Sequence, residues 1–164
     1  MITFPGPVSA LVTLPVGPDR DGVARVLAFE RAVRAELSGA RETIPAFNRL
    51  LVVGSPRTWD PEAVESRLAG LVDECLRAPL TAGQAAVVEL PACYAPELAP
   101  DLTTVAEGAG VTASEVAQLH SEPTYLVLAT GFAPGFAYLG DLDARLTMPR
   151  LATPRRRVEA GAIG

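Results

Sequence analysis

Along the first eighty residues the spacing of apolar positions changes several times, and each change marks an element. "VSALVTLPV", residues 8–16, is a short apolar, β-branched run of strand length. In "DGVARVLAFERAVRAEL" the apolar residues Val26, Phe29, Val33 and Leu37 recur at spacings of three and four, with Arg and Glu on the other positions. This predicts an amphipathic helix, ended by Gly39. "ETIPAFNRLLVVGSP" supplies two short β-rich runs around Pro45 to Asn48, the second being Leu50 to Val53. A helix start follows, with Asp60 as N-cap, Pro61 at the first helical position and Glu62 in the first turn. Val64, Leu68, Leu71 and Cys75 share one face of that helix. Residues 1–80 therefore read as a small β-α-β-β-α domain.

The pattern fades over residues 77–86, the expected linker, and returns as a strand in "VVELPACY". Two short helices joined at Gly108 to Gly110 come next. The second carries Thr112 and Glu115 in capping-box spacing, with Val111 and Val116 set for a hydrophobic staple. "TYLVLAT", residues 124–130, is the strongest strand signal in the chain and predicts a segment buried on both faces. It runs into "GFAPGFAYL", residues 131–139, where Gly131 and Gly135 allow turns or close backbone approach and Pro134 ends the strand. Phe132, Phe136 and Tyr138 are expected to fold over the end of the sheet. They form either a hydrophobic plug or, with Pro134 and Gly135, the lip of a ligand pocket.

Composition narrows the chemistry. A chain of 164 residues with a fifth of its residues charged can bury a core. Its net charge of -5 argues against general nucleic-acid binding. The charge is uneven, however: nine arginines face sixteen acids in residues 1–140, whereas five face three in 141–164. All basic residues are arginine, so neither a Schiff-base lysine nor a Walker A lysine is available. One histidine and two distant cysteines, Cys75 and Cys93, cannot assemble a His/Cys metal cluster. Reduced thiols, no signal-peptide pattern after Met1 and no membrane-spanning run lead to the expectation of a soluble, cytoplasmic protein with no membrane partner.

Arg145, Arg150, Arg155, Arg156 and Arg157 follow the aromatic stretch, and Pro-Arg occurs twice, at 149–150 and 154–155. Guanidinium groups on backbone stiffened by proline suit bidentate capture of carboxylate or phosphate. The alternative is solvated charge, or pairing with Asp141 and Asp143. His120 lies at the end of its short helix, where the helix dipole favours positive charge; it is either structural or an acid-base group. Asp101 could begin the preceding helix, and Cys93 beside Tyr94 suits packing.

The order His120, Tyr125, Gly-Phe-x-Pro-Gly-Phe-x-Tyr-Leu at 131–139, the two Pro-Arg pairs, Arg157, then Val158, Gly161 and Gly164 resembles the allophanate hydrolase subunit 1 family. That family includes the B component of 5-oxoprolinase and the kinase inhibitor KipI. The resemblance covers nearly the whole chain and is strongest from about residue 86. It implies an α+β protein with a small N-terminal domain, 1–80, followed by a cyclophilin-like β-barrel domain, 81–164. Family members continue beyond this motif, so that barrel is expected to be incomplete at Gly164.

The same resemblance implies a component of an ATP-dependent 5-oxoprolinase that opens the lactam 5-oxoproline to glutamate. It would be active only with a homologue of allophanate hydrolase subunit 2, the C component of such an enzyme. ATP with Mg would bind together with that partner. Arg150 and Arg155 would stabilise charge, and His120 would transfer or orient a proton. Phe132, Pro134, Gly135, Phe136, Tyr138 and Arg157 would contact substrate. Two other activities follow from the same family: inhibition of a sensor histidine kinase, as by KipI, and a carboxyltransferase or allophanate-hydrolase role in urea degradation.

Overall fold

In a computed structural model, residues 1–80, 86–140 and 142–164 are described. They form two compact units: residues up to 88 together with 125–140, and residues 89–124 together with 142–164.

The first unit is a six-stranded antiparallel sheet in the order β1-β2-β4-β3-β5-β6. Its strands are β1 (Ile2–Gly6), β2 (Ser9–Thr13), β3 (Ala40–Ala46), β4 (Arg49–Gly54), β5 (Val127–Thr130) and β6 (Ala137–Leu139). Helix α1 (Arg20–Glu36) separates β2 from β3, and α2 (Pro61–Arg77) follows β4. The expected β-α-β-β-α order thus gains a strand at its start. β1 carries Pro5 and has only β2 beside it, an edge position where a missing N–H is tolerated.

Both helices begin as their sequences dictate. Asp19 Oδ1 accepts from Gly22 N–H at 2.8 Å, and Asp60 Oδ1 accepts from Glu62 N–H at 3.1 Å. Val26, Phe29 and Val33 of α1 meet Val64, Leu68 and Leu71 of α2 in one core with Ala10, Val12, Leu50 and Val52 of the sheet. The register places Ala10 opposite Val52 and Val12 opposite Leu50, so one face of β2 and β4 supplies the sheet's share of the core.

The β3–β4 hairpin turns on Phe47 and Asn48, with Phe47 at φ 54°. Phe47 N–H donates to Leu128 O at 2.8 Å, so alternate residues of β3 point their N–H toward β5. Pro45, two residues back, has no N–H to offer there. That explains why β3 and β5 pair only at Ala46 and Ala129.

The second unit contains α3 (Leu102–Ala109), α4 (Ala113–Ser121) and a 3-10 turn, Ala144–Leu146. Gly110, at φ 68°, closes α3 in the left-handed conformation. The capping box forms in full: Glu115 N–H donates to Thr112 Oγ1 at 3.2 Å, and Thr112 N–H donates to Glu115 Oε2 at 2.7 Å. Val111 packs with Val116, Ala106 and Leu146 in a small cluster of its own.

Two expectations are corrected. Residues 87–94 form no strand; Val87, Val88 and Leu90 stand exposed without a neighbouring strand to pair with. Residues 124–130 are not buried on both faces: β5 starts at Val127, which is 45% exposed, and only Ala129 is buried. Of the two glycines in the aromatic turn, only Gly135 has positive φ, at 80°. α2 reaches Arg77, and residues 81–85 of the expected linker lie outside the described residues.

Candidate functional site

The aromatic stretch belongs to the sheet unit. β5 ends at Thr130, and the chain turns through 131–136 before returning as β6. The turn is closed by Gly131 N–H donating to Phe136 O at 3.1 Å, by Ala133 N–H to Gly131 O at 2.8 Å and by Phe136 N–H to Ala133 O at 3.0 Å. Gly135 takes the left-handed conformation that a turn of this length requires. Phe132 does too, at φ 66°, although a residue with a Cβ is strained there.

The consequence is a row of rings. Phe132 and Phe136 meet edge-to-face with centroids 5.5 Å apart, Phe136 and Tyr138 at 5.1 Å, and Tyr138 and Phe47 at 6.4 Å. Phe132 is 91% exposed, and Phe136, Tyr138 and Phe47 are all above 40%. The expected packing of these rings over the sheet end is therefore corrected: they stack on one another and leave an exposed aromatic ridge. Pro134 is exposed within the same turn. Phe47 escaped the sequence reading. An apolar residue beside Asn in a hairpin loop was its only signal.

The remaining candidates lie in the second unit. Arg155 grips the carboxylate of Asp101 with both terminal nitrogens, Nη1 to Oδ2 at 2.7 Å. Hydrogen bonding from Arg155 lowers the Asp101 pKa and raises that of Arg155. Asp101 sits at the N-cap of α3 but its side chain makes no capping hydrogen bond, because Arg155 holds it. Arg157 pairs with Glu159 at 3.2 Å, both exposed. Arg145 pairs with Asp143 at 2.7 Å, as one of the two sequence readings had it, and its hydrogen bonds bring the Asp143 carboxyl down to about 2. Asp141 lies outside the described residues. Arg150 and Arg156 are exposed and make no ion pair among the described residues.

His120 occupies the last turn of α4, and its Nδ1 lies 2.6 Å from the hydroxyl of Tyr94. The two rings meet edge-on at 5.8 Å. Burial raises the Tyr94 phenol above its ordinary value. The sequence gives Tyr94 no role of its own; with the partners 26 positions apart no local spacing reveals the pair. Cys93, beside it, is exposed and in no strand.

Two concavities are notable, and neither takes in His120 or the arginines of residues 145–157. One, of about 220 Å³, lies along α1 and α2 against Arg31, Leu71 and Cys75. The other, of about 460 Å³, flanks Phe47 and Arg49. Among the described residues no cluster of three or more His, Cys, Asp or Glu could hold a metal ion, and no helix is long and apolar enough to cross a membrane.

The family described as "Carboxyltransferase domain, subdomain C and D" matches residues 2–164. The protein named as the B component of 5-oxoprolinase in Bacillus subtilis (strain 168) is 34% identical over 140 residues, covering 77% of this chain and 56% of that protein. Its namesake in Escherichia coli O157:H7 is 36% identical over 124 residues, covering 75% and 55%. The chain thus spans about half the length of the curated relatives it matches. Among solved structures, TTHA0988 superposes with a TM-score of 0.71 at 31% identity, over 96% of this chain and 29% of that one. The chain therefore belongs to the carboxyltransferase-domain family, subdomains C and D, and is a relative of the bacterial proteins named as the B component of 5-oxoprolinase.

Proposed function

We propose that this chain acts as the B component of a cytoplasmic, ATP-dependent 5-oxoprolinase that opens the lactam to glutamate together with an allophanate hydrolase subunit 2 homologue. The observation that carries this reading is the likeness, at 34–36% identity over three quarters of the chain, to two proteins bearing the B-component name. The two-domain organisation with a cyclophilin-like barrel is part of the same proposal. It must accommodate β5 and β6, which here extend the sheet of the small domain.

The substrate class fits the residues. 5-Oxoproline is a carboxylate, and charge grows on its amide oxygen as the ring opens. Arg150, exposed and, like Arg156, outside any ion pair of the described residues, is the cation assigned to meet such charge. Arg155 and Arg157 serve by exchanging the carboxylates of Asp101 and Glu159 for that of a ligand. Solvent screens exposed pairs of this kind, so the exchange costs little. His120 orients or transfers a proton. The ridge of Phe132, Pro134, Gly135, Phe136 and Tyr138, in the sheet unit, supplies an apolar surface.

ATP, when bound, supplies the free energy for opening a stable amide. The residues present fit it only in part: exposed guanidinium groups match its charge, but there is no lysine and no carboxylate cluster for Mg among the described residues. The nucleotide and its metal are therefore assigned jointly to this chain and its partner.

The test is to co-express the protein with an allophanate hydrolase subunit 2 homologue and measure 5-oxoproline-dependent ATP hydrolysis and glutamate release. Arg150→Ala should lower turnover about 10²–10³-fold, the usual effect of removing one charge-stabilising group. Full turnover in that variant would remove Arg150 from the reaction. Failure to co-purify with the homologue, together with inhibition of a sensor histidine kinase, would replace the enzyme reading by the inhibitor one.

A further inference from the structure

The pairing of Tyr94 with His120 has a chemical consequence that the family likeness does not supply. We propose that Tyr94 is a positioning residue: by donating its phenolic proton to Nδ1, it holds His120 in the tautomer that carries the ring proton on Nε2. The inference rests on the reading of His120 as a participant in lactam opening.

The two groups lie within hydrogen-bond reach, with the phenol as the proposed donor. The oxygen–nitrogen separation is 2.6 Å, at the short end for an O–H donor. A phenol carries one proton, and among the described residues no other acceptor meets the Tyr94 hydroxyl. Burial raises its pKa, so the proton stays on oxygen through the neutral range. Nδ1 is thus the acceptor, and a neutral imidazole that accepts at Nδ1 is protonated at Nε2.

Local structure holds both partners. α4 is fixed at its start by the Thr112–Glu115 capping box, which orients its last turn and His120 with it. Tyr94 lies between Pro91 and Pro96, and Ala95 O just after it accepts from both Leu98 N–H at 2.8 Å and Ala99 N–H at 2.9 Å. A contact between two such pre-set segments loses little conformational freedom when it forms. The functional consequence follows from proton position. A ring protonated at Nε2 meets its neighbour there as a donor. That suits support of charge growing on an amide oxygen, and does not suit removal of a proton from water.

His120 is the only histidine in the chain, so the test has a single signal. An untagged full chain with 15N-labelled histidine is examined by long-range 1H–15N spectroscopy at about pH 9, above the ordinary imidazole range. In the wild type Nδ1 should appear unprotonated and hydrogen-bonded, and Nε2 protonated. In Tyr94→Phe the two nitrogen signals should move toward each other as the tautomers interchange. A protonated Nδ1 in the wild type overturns the proposal, whether or not the variant folds, and so does an unchanged spectrum in a folded Tyr94→Phe.

In complex with the allophanate hydrolase subunit 2 homologue, Tyr94→Phe should lower kcat about tenfold with KM little changed, a fraction of the 10²–10⁴ that a positioned proton donor contributes. Wild-type turnover in both Tyr94→Phe and His120→Ala would overturn the positioning role. Loss of turnover in Arg150→Ala at the same time would leave the enzyme reading standing, so the two can fail separately.

Discussion

Strands β2 and β4 share one antiparallel sheet with β5 and β6, yet the two pairs end in opposite states. In β2 and β4 every second side chain (Ala10, Val12, Leu50, Val52) is wholly buried beneath α1 and α2. In β5 and β6 only Ala129 is buried, while Val127, Tyr138 and Leu139 stay above 40% exposed. Both pairs are made of residues that favour strands. The difference lies in what covers them: α1 and α2 pack their apolar faces on the first pair, whereas the second pair is joined to β3 at a single position and carries the aromatic turn. Strand propensity selects the element, and a covering layer decides whether it becomes core.

This contrast can be tested from its strongest side first. Phe29, fully buried on α1, sits at the centre of the covered half. Phe29→Ala should cost about 3–5 kcal/mol, read as a fall in the urea midpoint. A loss below 1 kcal/mol would mean that α1 is not what makes β2 and β4 a core. Next is Thr43, buried on β3, whose hydroxyl donates to Glu30 Oε1 of α1 at 2.7 Å while Glu30 also receives Arg34. Thr43→Val keeps the shape and removes a hydrogen bond to a charged group. It should cost about 1.5–3 kcal/mol, and an unchanged stability would show that Glu30 finds another donor.

On the uncovered half the sign reverses. Phe132 has no burial to lose and sits in the left-handed region. Phe132→Gly should leave the chain between neutral and about 1 kcal/mol more stable, because strain relief offsets the flexibility that glycine adds to the unfolded chain. If such a variant also binds the allophanate hydrolase subunit 2 homologue less tightly, the strain is maintained for function. A clear destabilisation would instead make the ridge a structural plug.

The smallest expected effect is acid sensitivity in the second unit. Asp143, at about 2, and Asp101 and Glu115, both lowered by hydrogen bonds to their charged forms, bind protons less readily folded than unfolded. Their contribution is full above the ordinary carboxylate range of about 4, and it fades as pH falls through the folded values. Asp143→Asn should flatten part of the stability loss between roughly pH 4 and 2, measured by urea denaturation at stepped pH. Since Glu115 is exposed and Asp101 and Asp143 are only half-buried, the effect should be slight.

Much of the covered half was legible in the residues themselves. The periodic apolar faces of α1 and α2, the caps at Asp60 and Thr112, and the strand at Leu50 to Val53 depend on neighbours three or four positions apart or on simple alternation, and they form as read. β1 was missed because Pro5 and Gly6 mask its pattern, and the strand expected at 87–94 was not there because its apolar residues have no partner. At the candidate site, residue types were legible but their roles were not. Five arginines in sequence look alike; only the fold divides them into those held by Asp101, Asp143 and Glu159 and those, Arg150 and Arg156, outside any such pair among the described residues.

By itself, then, the sequence determined the local conformations and the family motif, because capping, helical periodicity and turn chemistry act over a few residues. Only the tertiary structure decided which apolar segments would be covered, that four aromatic rings would form an exposed row, and that Tyr94 would meet His120. The covering of segments, the joining of Phe47 to the row and the Tyr94–His120 pair depend on contacts between residues far apart in the chain, which no short-range pattern encodes.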